Sequence, residues 1–402
     1  MVINPFILVF FIYLVSNSYF FVRGVQHGGF ELLGDFYVVS SEAYFVAILT
    51  IFIVMIMIFL SYVLAIGKVN GKGLQFLSDK KSWLVIIYQL FYITFFLRTG
   101  AGVLGAEREI TSSLDVGLNY FFKLLSPDIL AISAMVFFNS KRLFYISISV
   151  FVISMTMRGW MGGVYIAGIL VLARFYPVRL SMLPIISFVV LIVFLPFLDA
   201  LKWGIRGGYD VSVLISSAYD VYSFDVLLRS LEVVFSRFQH INNVALIAQN
   251  NIEFKEWFFS SSFRPIIFNG FLYDVFCHLT NTCNMNLNGF IVEKFYDPGG
   301  GWNVDPGLSG WLFLGSVNFL STILVFVFFG VFFPWYLSNR LGFNFLLVIY
   351  SLNCVYFLHG WVAPYFNFLF CSFLIFVLIR VRWSGQTTEK TQSRLEKPMP
   401  RE

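Results

Sequence analysis

Long apolar runs recur along almost the whole chain, and they constrain its fold more than any other feature. Of the 402 residues, 58% are hydrophobic and only 12% are charged, and the mean hydropathy is +0.80. An apolar helix of about 20 residues is long enough to cross the hydrocarbon core of a bilayer. The sequence therefore predicts an all-α, polytopic integral membrane helix bundle, and it excludes a disordered or nucleic-acid-binding protein.

The apolar runs predict ten membrane-spanning helices. In chain order they are residues 4–22, 43–66, 83–97, 120–138, 143–157, 160–172, 181–198, 311–337, 343–358 and 362–378. The chain is thereby divided into a first bundle at 1–198, a large loop at 199–310, a second bundle at 311–380 and a tail at 381–402. The first run lacks the basic region and the cleavage site of a signal peptide, so it is predicted to be a retained span.

The basic residues predict which side of the membrane each connection faces. Fifteen of them, in the short connections and the tail, share one side with only four acidic residues, whereas the other twelve basic and eighteen acidic residues fall on the opposite side. The fifteen are Lys68, Lys72, Lys80, Lys81, Lys141, Arg142, Arg174, Arg179, Arg340, Arg380, Arg382, Lys390, Arg394, Lys397 and Arg401. By the positive-inside rule this basic side is cytoplasmic, and both ends of the chain are predicted there.

One apolar stretch, residues 143–172, fits either one long helix or two short spans that meet near Arg158 and Gly159. A single span would move Arg174 and all later basic residues of the short connections to the outer side, against the positive-inside rule. Two short spans obey the rule. We therefore predict that Arg158 lies at a break on the outer side of the membrane.

The large loop faces outward and contains a candidate anion site. Residues 224–246 have apolar side chains at helical spacing on one face, which predicts an amphipathic helix at the membrane surface. On its polar side, Arg237 lies about one turn before His240. Arg supplies fixed donors for an anion, and His can accept a proton. The alternative interpretation of this polar side is an ordinary solvated face.

Three more outward residues are candidates for function. An Arg at a membrane break is costly, so Arg158 is interpreted as functional, with snorkelling to the headgroups as the alternative. Arg264 precedes Pro265 in an extended or turn segment, where the alternative is a loop ion pair. Asp305 follows a glycine-rich segment together with Trp302, which could stack on a sugar, and the alternative is an interfacial turn.

Missing motifs narrow the class of function further. The sequence has no Walker-type glycine loop, no His/Cys spacing typical of zinc, and almost no acidic residue inside the spans apart from Asp128. ATP-driven or coupled transport therefore loses support, and neither a metal nor a cofactor is expected. The outward cations instead favour a site for a lipid-linked phosphate or diphosphate. Cys277 and Cys283 in the large loop fit either a disulfide or two free thiols.

Four short strings, together with the arrangement of spans, resemble the O-antigen polymerases of the Wzy type. The strings are Met157-Arg158-Gly159, Ser236-Arg237, Ser262-Phe263-Arg264-Pro265 and Gly310-Trp311-Leu312-Phe313-Leu314-Gly315. The resemblance implies a GT-C-like, metal-independent glycosyltransferase of the bacterial inner membrane. Such an enzyme transfers a growing glycan from one undecaprenyl diphosphate carrier to a repeat unit on another carrier at the periplasmic face.

The same resemblance implies roles for individual residues. Arg158, Arg237 and Arg264 would bind the diphosphate, His240 would be the catalytic base, and Asp305 competes for that role. The implied partners are the oligosaccharide linked to undecaprenyl diphosphate, membrane lipid, and a chain-length regulator protein as a candidate.

Three other classes of protein stay open as alternatives. O-antigen ligases resemble the chain at the same places, but their pattern has a His-Asn pair before the span that follows the large loop, where this chain reads Trp302-Asn303-Val304-Asp305. A flippase or exporter of lipid-linked oligosaccharide is expected to have more spans and short loops on both sides. A non-catalytic scaffold should tolerate loss of the recessed Arg side chains.

Overall fold

The computed structural model describes most of the chain. The described residues are 2–32, 34–69, 76–103, 112–160, 162–179, 189–190, 192–207, 212–213, 216, 219, 222–260, 266, 287–296, 304 and 306–380. Helices dominate this part of the chain, and its strands form only two short two-stranded sheets. The predicted all-α bundle is therefore confirmed at the level of fold class.

The helices carry the labels α1 to α16 in chain order. They are α1 (Pro5–His27), α2 (Ser41–Val69), α3 (Asp79–Thr99), α4 (Ser113–Leu124), α5 (Pro127–Met135), α6 (Lys141–Met157), α7 (Gly162–Arg174), α8 (Leu195–Gly207), α9 (Phe224–Ser236), α10 (Ile241–Gln249), α11 (Asn251–Ser260), α12 (Leu287–Ile291), α13 (Gly307–Gly310), α14 (Ser316–Leu341), α15 (Phe343–Leu358) and α16 (Val362–Arg380). The strands are β1 (Val2–Ile3), β2 (Gly29–Leu32), β3 (Asp35–Val38) and β4 (Val178–Arg179).

Five of these helices, α1, α2, α3, α14 and α16, are long and apolar enough to cross a membrane, and α7 and α15 are shorter apolar helices. The protein is therefore membrane-embedded. Most predicted spans agree with a helix to within a few residues, whereas half of the predicted span 181–198 lies outside the described residues. The total of ten crossings and the GT-C-like fold stay predictions.

The predicted span 120–138 is not one helix. The chain leaves α4 at Leu124 and enters α5 at Pro127. Proline has no backbone N–H and disfavours helix at the residue before it, so Ser126 cannot continue the helical path. The predicted single span is wrong in this respect, and its interruption places Asp128 in the first turn of α5.

The predicted break at Arg158 is confirmed. Helix α6 ends at Met157, Arg158 caps it, and α7 begins at Gly162. Gly159 has a φ of +77°, a left-handed conformation that only glycine adopts without strain. The stretch 143–172 therefore forms two short helices rather than one long helix.

Most of the described residues that were predicted to face the cytoplasm gather at one end of the bundle, here called the basic end. Strand β1 pairs with β4, so that Val2 lies opposite Arg179. The Arg174 guanidinium donates a hydrogen bond to the Phe138 carbonyl oxygen, 2.6 Å away, and the Lys81 ammonium donates to the carbonyl oxygen of Leu378. The arrangement agrees with the predicted sidedness of these connections, although the cytoplasmic orientation itself stays a prediction.

At the opposite end, α9 and α10 of the large loop pack against α1 and α2. The predicted single helix over 224–246 is wrong, because the chain turns between Ser236 and Ile241. The first helix, α9, has no buried residue and leaves Phe224 71% exposed, as expected of an amphipathic surface helix. The second helix, α10, is mostly buried, and His240 before it is 1% exposed rather than on a solvated face.

The turn between α9 and α10 is held by a buried side chain of α1. The Asn17 amide donates to the carbonyl oxygens of Tyr13, at 2.8 Å, and Phe238, at 3.3 Å. Its oxygen accepts a hydrogen bond from the backbone N–H of His240 at 2.9 Å. Helix ends leave backbone groups without partners, so these bonds explain why the chain can break here inside an apolar environment.

We expect Asn17→Ala to loosen the turn, because it leaves buried backbone groups of Phe238 and His240 without a partner. The free energy of unfolding should fall by about 1–3 kcal/mol. Hydrogen–deuterium exchange of residues 237–244 should become faster. Ser16→Ala is the matched control, since the buried Ser16 hydroxyl has no hydrogen-bond partner in the described structure. Equal exchange in both variants would contradict the role given to Asn17.

Candidate functional site

Two histidines from distant parts of the chain meet at the end of the bundle opposite the basic end. His240 precedes α10, and His359 follows α15. Their ring centroids are 4.6 Å apart, and the ring planes are nearly perpendicular, at 80°. Tyr13 of α1 lies beside both, with its ring 5.6 Å from that of His240 and its hydroxyl 3.3 Å from His359 Nδ1. We call Tyr13, His240 and His359 the histidine cluster.

Two glycines allow the chain to approach this cluster closely. Gly307, with a φ of +64°, lies against His240, and a Cβ added to it would be 3.1 Å from the imidazole Cγ. Gly360, with a φ of +93°, lies against Gly307, and its added Cβ would be 3.1 Å from the Gly307 Cα. Both conformations favour glycine, and both contacts leave little room for a side chain. The start of α13 therefore closes over the His240 ring.

His240 is buried without hydrogen bonds from its ring. Neither Nδ1 nor Nε2 has a hydrogen-bond partner in the described structure. Such buried polar atoms are uncommon, and they call for an explanation such as a catalytic role. Burial lowers the pKa of His240 well below its ordinary value, and the neighbouring His359 lowers this pKa further. The ring is therefore neutral at physiological pH, and one of its two nitrogens is a free acceptor for a proton.

His359 is neutral for related reasons. Burial, together with the positive charge of Arg237, lowers the pKa of His359 to about 3. Arg237 is exposed at the end of α9, within electrostatic range of the cluster. The structure thus brings together two of the residues predicted from the sequence, Arg237 and His240, around a second histidine.

Arg158 lies inside the bundle and is paired. Its guanidinium forms an ion pair with Asp128 through Nη2, while Nη1 donates to the Tyr92 hydroxyl at 3.0 Å and Nε donates to the Ser154 carbonyl oxygen at 3.3 Å. The guanidinium also lies over the rings of Tyr92 and Phe96. These contacts join α3, α5 and α6, so Arg158 does not snorkel to the membrane surface. A phosphate would have to compete with Asp128 for Nη2.

The Arg158–Asp128 pair and the histidine cluster lie at the same end of the bundle. Asp128 is within electrostatic range of Tyr356, and the Tyr356 ring is 6.3 Å from that of Trp361. The Trp361 ring in turn is 4.7 Å from that of His359. The predicted convergence of Arg158 and Arg237 on one ligand is compatible with this arrangement and stays a prediction.

Several predicted residues lie outside the described residues. These are Arg264, Asp305, Trp302, Cys277 and Cys283. Their predicted roles stay predictions. Arg264 is predicted to bind the diphosphate, Asp305 to compete as the base and Trp302 to stack on a sugar, while the two cysteines fit either a disulfide or two free thiols.

Sequence reasoning missed the roles of His359 and Asp128. The sequence does not single out His359, because no sequence rule links it to His240. Asp128 had a usable signal, since acidic residues inside membrane spans are rare and are usually paired. Within the described part of the chain, no three His, Cys, Asp or Glu side chains lie close enough together to hold a metal ion.

The chain was compared with models of protein families, with curated proteins and with solved structures, and none of them matches it. The function proposed below therefore depends on the residues of the chain itself.

We expect the two buried histidines to lower the stability of the protein in acid. An unfolded histidine takes up a proton near its ordinary pKa of 6.5, whereas both folded rings stay neutral well below that pH. The unfolded state binds more protons as the pH falls through 6.5, so the free energy of unfolding should decrease from there downward. The melting temperature of the purified protein between pH 7.5 and 5 measures this effect.

The double variant His240→Gln/His359→Gln isolates the contribution of the two rings. Its melting temperature should decrease less than that of the unchanged protein when the pH is lowered from 7.5 to 5. His27→Gln is the control, because His27 is exposed at the end of α1. A double variant with the same pH slope as the unchanged protein would show that these rings do not titrate on unfolding.

We expect Arg158→Met alone to destabilise the bundle, because it leaves the Asp128 carboxylate buried without its partner. Breaking a buried pair costs about 3–5 kcal/mol, whereas replacing both members with apolar side chains is often neutral. The double variant Arg158→Met/Asp128→Leu should therefore regain most of the lost stability. Size-exclusion chromatography of the detergent-solubilised protein after heating measures the folded fraction. A single variant as stable as the double variant would contradict the structural role of the pair.

Proposed function

We propose that this protein is a membrane-embedded glycosyltransferase of the O-antigen polymerase type. In this proposal it transfers a growing glycan from one undecaprenyl diphosphate carrier onto a repeat unit attached to a second carrier. The observation that supports it most is the neutral, buried His240, whose ring nitrogens have no partner in the described structure, together with the exposed cation Arg237, which acts on the neighbouring His359. A proton acceptor beside a permanent cation suits a reaction in which a hydroxyl attacks and a diphosphate leaves.

In the proposed reaction, an acceptor sugar hydroxyl attacks the anomeric carbon of the donor glycan. His240 takes the hydroxyl proton as the new carbon–oxygen bond forms. The bond between the anomeric carbon and the carrier diphosphate breaks, and its electron pair leaves with the diphosphate. Arg237 stabilises the negative charge that develops there, as a preorganised donor. Because the His240 ring is 1% exposed, neighbouring side chains must move before the acceptor reaches it.

Arg158 and Arg264 are proposed to donate further hydrogen bonds to the diphosphate, and Asp305 is proposed as the competing base. For Arg158 this role requires that the diphosphate displace Asp128 or bind beside it. The stabilised double variant Arg158→Met/Asp128→Leu separates the two roles of this residue. If Arg158 only holds the helices together, that variant polymerises normally. If Arg158 also binds diphosphate, the variant folds but makes little polymer.

The proposed location is the bacterial inner membrane, with the basic end in the cytoplasm. The histidine cluster then lies at the periplasmic face, where lipid-linked repeat units are exposed. Membrane lipid and the lipid-linked oligosaccharide are the proposed partners, with a chain-length regulator protein as a further candidate.

We expect Arg237→Ala and His240→Gln to block polymerisation in a strain that lacks the chromosomal copy of the gene. Loss of one preorganised donor lowers a rate by roughly 100-fold, and loss of a general base by a similar or larger factor. The cell-surface glycan ladder should collapse to lipid cores that carry one repeat unit. Arg229→Ala is the matched control, because Arg229 is an exposed cation on the same helix, and it should leave the ladder intact.

The same gel distinguishes the alternative functions. A flippase would lose all repeat units from the surface when inactivated, and a ligase would leave polymer on the lipid carrier without attachment to the core. A normal ladder in both Arg237→Ala and His240→Gln, with normal protein levels, would overturn the proposal.

A further inference from the structure

We propose that Tyr13 and His359 are positioning residues that orient the His240 ring and keep it in the neutral form that accepts a proton. The inference rests on the proposed function, in which His240 is the base. It assigns roles to one residue of α1 and one residue after α15 that lie far from His240 in the sequence.

Packing orients the His240 ring, because no hydrogen bond to its nitrogens does so in the described structure. The Tyr13 ring lies roughly parallel to it, at an angle of 27°, and the His359 ring meets it at 80°. Gly307 lies against the His240 Cβ and the Cγ of its imidazole. The imidazole is therefore confined between three groups, of which Tyr13 and His359 contribute the ring contacts.

Tyr13 contacts both His359 and Phe238, the residue two positions before His240. Its hydroxyl is 3.3 Å from His359 Nδ1, so it forms a hydrogen bond whose direction depends on the tautomer of His359. Its ring also meets that of Phe238 at an angle of 83°, with 5.5 Å between the centroids. The hydroxyl can donate or accept, so it suits either tautomer of His359. Tyr13 therefore holds the orientation of the imidazole ring that faces His240.

Electrostatic repulsion between the two rings favours the neutral form of His240. Two imidazolium rings 4.6 Å apart in a buried site would repel each other strongly, so a proton on one ring opposes a proton on the other. Among the described residues around the cluster, α1 presents Tyr13, the end of α15 presents His359, and the end of α9 presents the cation Arg237. The nearest part of α13 is Gly307, which has no charge. A positive charge on His240 is thus opposed by burial and by a charge on His359, and a charge on His359 is in turn opposed by Arg237.

Histidine NMR can test this inference without any assay of activity. The chain has four histidines, so the full-length protein labelled with 15N-histidine in lipid nanodiscs should give a simple spectrum, and His240→Gln assigns the key signal. We expect His240 to be neutral at pH 7 in the unchanged protein. In His359→Gln, the pH of half-protonation of His240 should rise by roughly one unit, because the repelling neighbour is gone.

Two outcomes would overturn the role of His359. One is a His240 signal that is already protonated at pH 7 in the unchanged protein. The other is a His240 titration in His359→Gln that is no different from that of the unchanged protein, including the case in which both stay neutral to the lowest pH measured. His27→Gln is the control, since His27 is an exposed residue of α1 and should leave the His240 signal unchanged.

Tyr13→Phe tests the role of the hydroxyl, and it removes only one oxygen atom, so the fold is expected to persist. The 15N resonance of His359 Nδ1 should move when the hydrogen bond is lost. An Nδ1 resonance that does not change in Tyr13→Phe would overturn the role of Tyr13.

A polymerisation assay tests this inference and the proposed function separately. Nanodiscs are supplied with lipid-linked repeat units extracted from the deletion strain, and the initial rate of polymerisation is measured against pH. The acidic limb of the kcat/KM profile in His359→Gln should move to higher pH by the same amount as the NMR titration. If the unchanged protein polymerises but the limb does not move, the inference fails while the function stands. If the NMR shift is present but no polymer forms, the function fails while the pairing stands.

Discussion

The buried amide of Asn17 is the contact on which the candidate site depends. Inside an apolar bundle, backbone groups at a helix end need partners from the protein, because water is absent. Asn17 provides them to Phe238 and His240 at the break between α9 and α10. The same hydrogen bonds hold residues 238–240 of the large loop against α1, next to Tyr13. A side chain of the first membrane helix thus places a loop histidine 223 positions away.

The candidate residues share a structural setting, which is the end of a helix. Asp128 lies where α5 begins, Arg158 where α6 ends, Arg237 and His240 on either side of the break between α9 and α10, and His359 where α15 ends. A continuous helix satisfies its own backbone and presents mainly apolar side chains to lipid. Where helices stop, polar side chains and free backbone groups can gather without facing the bilayer. The breaks in this chain therefore contribute to the polar end of the bundle.

The sequence predicted the membrane helices well, because a bilayer imposes a length and an apolar composition that can be counted. It also predicted the break at Arg158, although from the sidedness of distant charges rather than from local signals. It could not predict the turn before His240, since the apolar spacing of 224–246 suits a helix on both sides of that turn. The turn is stabilised by Asn17, which lies on another helix. The contacts of His359 likewise depend on tertiary packing, since its partner Tyr13 lies 346 positions earlier.

Arg158 and His240 are both buried in the described structure but differ in whether their polar atoms have partners, and the difference bears on their proposed roles. Arg158 is paired with Asp128 and hydrogen-bonded to Tyr92 and a backbone carbonyl, and such partners stabilise a charge inside a bundle. His240 is left neutral, with both ring nitrogens unpartnered in the described structure. Because the charge of Arg158 is already paired, a ligand gains little binding free energy by displacing Asp128. An unpartnered acceptor still has a hydrogen bond to gain, so binding of a hydroxyl there is favoured. His240 is therefore a better candidate than Arg158 for the centre of the proposed reaction.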